Sequence, residues 1–169
     1  MKWVSLADSD RLDRVYISAT AKEISELGIM YSSAVKHPAG VVILSRDAGI
    51  GKSAITTDTM AVSQHFMAWK CGPRLDNHFL YYWLQFRKRD FEAIAIGSTI
   101  KTIGLRYFRL LEVPLPPLWE QRIIGESLLA ADLQLFRHEE HISKLHSLKR
   151  GLAHDLLTGR VRVKIGGCA

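Results

Sequence analysis

Gly49-Ile50-Gly51-Lys52-Ser53 is the segment most suggestive of chemistry, because it follows the apolar run 41–44 as the end of a nucleotide-binding P-loop follows its strand. The spacing excludes that reading. The glycine required five residues before Gly51 is replaced by Arg46, whose side chain would fill the space in which the backbone curls round the phosphates. No convincing acidic strand end follows to hold magnesium. The seven histidines are scattered without a pair at metal-ligand spacing, and Glu139-Glu140-His141 falls on the exposed side of a helical pattern. Neither an Asp/Asn-Pro-Pro-aromatic signature of amino-methyl transfer nor a Gly-rich loop for its cofactor occurs. Two cysteines, Cys71 and Cys168, are too few and too separated for a disulfide framework or a metal cage, which fits a reducing, cytosolic compartment. The chain reads as non-catalytic.

Binding chemistry is better represented. The net charge is +6, and residues 36–109 carry 11 Lys and Arg against 5 Asp and Glu, so the whole surplus lies in the middle of the chain. Such a field suits an anionic partner, though a basic surface without one explains charge alone equally well.

These residues must be positioned by two kinds of structure. From Trp3 to about Val113, short β-branched runs alternate with turn residues, which predicts a β-rich α+β domain. Gly40-Val41-Val42-Ile43-Leu44, Met60-Ala61-Val62 and Phe66-Met67-Ala68-Trp69 are strand candidates, and residues 77–91 form a helical pattern that Asp76 or Asn77 would cap. Val113-Pro114-Leu115-Pro116-Pro117 removes backbone donors and fixes an extended segment, placing a boundary at residue 117. Residues 119–157 contain no proline, so a single helix of nearly 40 residues is expected there. Ile124, Leu128, Ala131, Leu135, Ile142, Leu145, Leu152 and Leu156 recur at alternating spacings of four and three, with His138 and Lys149 in the gaps. This is a coiled-coil seam, too long to be covered by a domain of about 115 residues, so a second helix should pair with it. The expected division is 1–117 globular, 118–159 helix and 160–169 a short tail. No apolar run approaches the length needed to span a bilayer, and Met1-Lys2-Trp3-Val4-Ser5 does not open a signal peptide.

Two passages carry a resemblance. Val113-Pro114-Leu115-Pro116-Pro117-Leu118-Trp119-Glu120-Gln121-Arg122-Ile123-Ile124 resembles the proline-proline-x-x-glutamate-glutamine-x-x-isoleucine passage that closes a target recognition domain and opens a spacer helix in specificity subunits of type I restriction-modification enzymes. The stretch from Leu148-Lys149-Arg150-Gly151-Leu152 to Leu156-Leu157-Thr158-Gly159-Arg160 resembles the end of that helix. Ile24-Ser25-Glu26-Leu27-Gly28, Ile50-Gly51-Lys52 and Ala95-Ile96-Gly97-Ser98-Thr99 are similar to recognition-domain landmarks in the same order, so the likeness covers nearly the whole chain.

The resemblance implies a subunit that reads double-stranded DNA for methyltransferase and restriction subunits. It implies no cofactor in this chain, with S-adenosylmethionine and ATP/Mg needed only in the partners. Family members usually carry two recognition domains and two mutually packed spacer helices; one of each is present here, so the chain reads as a half-sized or truncated subunit. Pairing with a second copy, or with another half, would then present two recognition domains to an interrupted palindrome. Candidate DNA contacts are Arg46, Lys52, Lys70, Lys101 and Arg106, with Ser98 and Thr99 as neutral donors beside Gly97. The other reading is an oligomerisation or adaptor remnant that docks a partner without binding DNA.

Overall fold

The computed structural model describes residues 1–163, in which short strands and helices precede one long helix. Strand β1 (Lys2–Val4) runs through a 3-10 turn (Leu6–Arg11) into β2 (Tyr16–Ile17) and β3 (Lys22–Glu23). Helix α1 (Glu26–Met30) is followed by β4 (Val35–His37), β5 (Val42–Ser45), β6 (Ser53–Thr56), β7 (Met60–Val62) and β8 (Phe66–Trp69). Helices α2 (Asn77–Phe86), α3 (Lys88–Ile94), α4 (Leu105–Arg109) and α5 (Leu118–Leu157) complete the order. The class is α+β with a long C-terminal helix, as the sequence predicts.

Two mixed four-stranded sheets run β3-β1-β7-β4 and β2-β6-β5-β8. The parity of β5 organises the core. Val41 and Ile43 pack with Val4, Met60 and Val62 between the sheets, whereas Val42 and Leu44 face Leu80, Leu84, Phe91 and Phe108 on the helical side. A strand buried on both faces has no room for a polar alternate residue, which is why its sequence is a continuous apolar run.

The P-loop lookalike is a hairpin loop between β5 and β6, so a strand follows Lys52 where a phosphate loop would need a helix. Gly49 and Gly51 take φ of +101° and +77°, and the Gly51 amide donates to the Ser45 carbonyl at 3.0 Å. Ile50 is buried between the glycines and anchors the loop in the core.

The helical pattern of residues 77–91 divides. Asp76 caps α2 by accepting from the Phe79 amide at 3.0 Å, and the helix breaks at Arg87 before α3 begins. The compact globular unit is Met1–Leu129 and takes in the first turns of α5, while a second unit begins at Ala130. Gln121 is 1% exposed, and a Cβ on Gly125 would lie 2.9 Å from the His78 Cβ and 3.2 Å from the Phe79 nitrogen. Those two residues, one helical turn apart, dock α5 on the N-terminus of α2. At its other end α5 stops at Leu157, and Gly159 at φ +72° supplies the left-handed residue of a glycine C-cap. Part of the tail expected at 160–169, including Cys168, lies outside the described residues. Among the described residues no helix is long and apolar enough to cross a membrane.

Candidate nucleic-acid interface

A small loop carries three of the expected contact residues, and a fourth follows it on α4. Ile96 and Thr102 exchange backbone hydrogen bonds of 3.0 and 2.9 Å, closing the turn 97–101. Gly97 sits at φ +138°, where a Cβ would stand 2.3 Å from the Ile100 carbonyl oxygen, so no other residue fits. Ser98, Thr99 and Lys101 are exposed on this loop, and Arg106 is exposed on α4 immediately after it.

Thr102 fastens the loop to the sheet. It forms a bridge to Asp47 and donates its hydroxyl to the Asp47 carboxylate, while the Ile103 amide donates to the Arg46 carbonyl at 2.9 Å. The end of β5 and the loop 97–101 are thereby joined. Asp47 also accepts from His65 Nδ1 at 2.7 Å and lies 3.5 Å from Arg46 Nε. Burial works to raise the Asp47 pKa, but the hydrogen bonds from Thr102 and His65 and the Arg46 charge outweigh it and hold the carboxyl below its ordinary range. Burial likewise lowers His37, which lines the same cleft, and favours its neutral form.

The remaining expected contacts are dispersed. Arg46 is drawn inward, with only 19% of its side chain exposed. Lys52 donates to the Ser9 carbonyl at 3.0 Å and lies 3.8 Å from Asp10, so its charge ties the β5–β6 loop to the 3-10 turn. Lys70 is exposed just beyond β8, at the end where Trp69 pairs with Val42, away from the Ser45–Phe66 end that holds Arg46. Asp47, His65 and the β7–β8 turn were not legible as a site. They are isolated residues in sequence, and only the closure of the loop 97–101 on β5 brings them together.

The seam residues divide between the units. Ile124 is half-buried and Leu128 partly exposed within the globular unit. Beyond Ala130, Leu135, Ile142, Leu145, Leu152 and Leu156 are 44–59% exposed. Apolar side chains this exposed at heptad spacing form a surface fit for a partner helix.

Residues 5–145 match the family model described as the type I restriction modification DNA specificity domain. The chain is 29% identical over 126 residues to a protein of Methanocaldococcus jannaschii named as the type I restriction enzyme MjaX specificity subunit, covering 73% of this chain and 29% of that one. It is 28% identical over 93 residues to the MjaVIII specificity subunit of the same organism, covering 54% and 22%. Among solved structures, the S subunit of a type I restriction-modification system from M. genitalium superposes with a TM-score of 0.56 at 20% identity, over 85% of this chain and 38% of that one. A chain from a structure on complex assembly and conformational transition of a type I system gives a TM-score of 0.59 at 20% identity, over 69% and 29%. The chain thus spans less than a third of the length of these curated relatives.

Proposed function

The chain belongs to the type I restriction-modification DNA specificity family, and from that premise we propose that it binds double-stranded DNA and selects the sequence on which methyltransferase and restriction subunits act. The observation that carries the reading is the exposed loop 97–101 with Arg106 beside it, stapled to β5 through Thr102 and Asp47. Lys101 and Arg106 supply the charge for phosphate contacts, and Ser98 and Thr99 supply hydroxyls able to reach a backbone or a base edge. Lys70 and Arg46 add to the basic field, and Lys52 supports it by holding the adjacent loop in place. Methyl transfer, cleavage and the S-adenosylmethionine and ATP/Mg they require belong to the partner subunits in this reading.

The exposed seam on α5 supports pairing with the helix of a second copy or of another half-subunit. Two recognition domains related by a two-fold axis would read an interrupted palindrome, with the helices setting the gap.

Fluorescence anisotropy with the methyltransferase subunit present tests the proposal. Affinity for duplex DNA should fall steeply with salt, and the double substitution Lys101→Ala/Arg106→Ala should weaken it while reducing the salt slope by about two. Retention of the methyltransferase subunit without measurable DNA binding at low salt would favour the adaptor reading instead.

A further inference from the structure

The turn between β7 and β8, with Trp3 of β1 and Arg46 at the end of β5, brings together polar groups that the fold buries without hydrogen bonds. Ser63 is 6% exposed, and among the described residues its Oγ has no hydrogen-bond partner. Trp3 Nε1 is buried in the same condition, and Arg46 Nε is buried without a hydrogen bond, its contact with Asp47 being an ion pair at 3.5 Å. All three line one of two adjoining hollows, of about 650 and 300 Å³, which share Ser33, Ser63, Gln64 and His65. Arg46 borders the larger, Trp3 and Lys22 the smaller.

Two of these three buried groups are one-sided in their chemistry. Indole and guanidinium nitrogens donate and never accept, so an unpartnered one calls for an acceptor. Among the described residues the one carboxylate bordering the two hollows is Asp47, and it is already engaged by Thr102, His65 and Arg46. A nucleobase edge presents donors together with acceptors, whereas a phosphodiester presents only acceptor oxygens and a negative charge. Asp47 holds His65 by Nδ1, which leaves the Nε2 edge of the ring free of the Asp47 contact.

We propose that the β7–β8 turn is a phosphate site that seats a phosphodiester group of the DNA backbone, with Ser63 Oγ, Trp3 Nε1 and Arg46 as its donors. The assignment rests on the DNA-binding reading and deepens it. It adds to the loop 97–101 a second anchoring point, and the two are linked through Asp47 and Thr102.

Two near-isosteric substitutions test the site. Ser63→Ala and Trp3→Phe each delete one donor, so a buried group without a partner is relieved and thermal stability should hold or rise. Each should nevertheless weaken binding to a short random-sequence duplex by about five- to tenfold, with the methyltransferase subunit present. Arg46→Gln should weaken it further and lower the salt slope by about one. Equal loss on every sequence is the expected result; loss confined to one sequence would make the turn a base reader and overturn the assignment. Unchanged DNA affinity in all three variants would also overturn it. An independent readout is the Trp3 indole N–H resonance of the free chain, assigned by its disappearance in Trp3→Phe. Titration with millimolar inorganic phosphate should move it in the wild type and not in Ser63→Ala. A phosphate-induced shift in a protein that binds no duplex would refute the DNA source and leave an oxyanion site. Absence of a shift with either probe would refute the site itself.

Discussion

Gln121 shows how one side chain turns a short motif into a joint. Its Oε1 accepts from the Asp76 amide at 2.9 Å, and its Nε2 donates to the carbonyls of Arg74 and Pro116 at 3.0 and 2.8 Å. Three backbone groups from two segments are satisfied by one buried amide, and no shorter or charged residue could reproduce that. Gln121→Ala should therefore cost about 3 kcal/mol in urea unfolding, because it strands three backbone groups in a part-buried joint. A loss under 1 kcal/mol would contradict the joint. Asp47 gives a pH-dependent test. Its carboxyl is held below the ordinary value of about 4, so its contribution is present above that value and is lost as pH falls through the lower, folded pKa. Asp47→Asn should thus destabilise the chain at neutral pH, with the difference from wild type narrowing in acid below pH about 4. Cys71 titrates in the opposite direction: burial, helped by the Asp76 charge, pushes its thiol up to about 11. In a Cys168→Ser background it should react with a thiol reagent at pH about 8 much more slowly than a small free thiol.

At the scale of the element, α5 is one helix whose two ends are specified differently. The amino end is held by packing, at Gly125 against His78 and Phe79, and the carboxyl end by the left-handed Gly159, around which a Cβ would meet nothing. Substitution by alanine separates the two causes. Gly125→Ala gains helix propensity of about 1 kcal/mol yet should lose more to the clash with α2, giving a net loss of about 1–3 kcal/mol in global stability. Gly159→Ala should leave the melting of the globular unit unchanged and only fray the last turn, seen as faster amide exchange at residues 155–157. The Leu-Leu-Thr-Gly-Arg ending is thus intelligible as a helix stop: the Thr158 hydroxyl donates to the His154 carbonyl at 2.5 Å and Arg160 lies 3.8 Å from Asp155.

At the scale of the whole molecule, the exposed seam calls for a partner helix. Sedimentation velocity at micromolar concentration should give a dimer, and Leu135→Asp/Leu145→Asp should convert it to a monomer without altering the melting of the globular unit. A wild-type monomer would defeat self-pairing and point to another half-subunit as the occupant.

Periodicity and steric rules reached the sequence-level features: the buried strand β5, the cap at Asp76, the 40-residue helix and the failed phosphate loop all follow from residues near one another in the chain. Local pattern is sufficient there because helix, strand and turn each impose a short repeat on the side chains they expose or bury. The division at Leu129 and the cluster of Asp47, His65, Thr102 and Ser63 were decided by the tertiary structure alone. Gln121 reaches 45–47 residues back to its partners in the 74–76 segment, and Thr102 reaches 55 residues back to Asp47, so no window of sequence contains both halves of either contact. Sequence therefore determined which family this chain resembles and which stretches are elements. Long-range closure, which depends on how separate elements share one core, determined where the domain ends and which polar groups were left facing a hollow without partners.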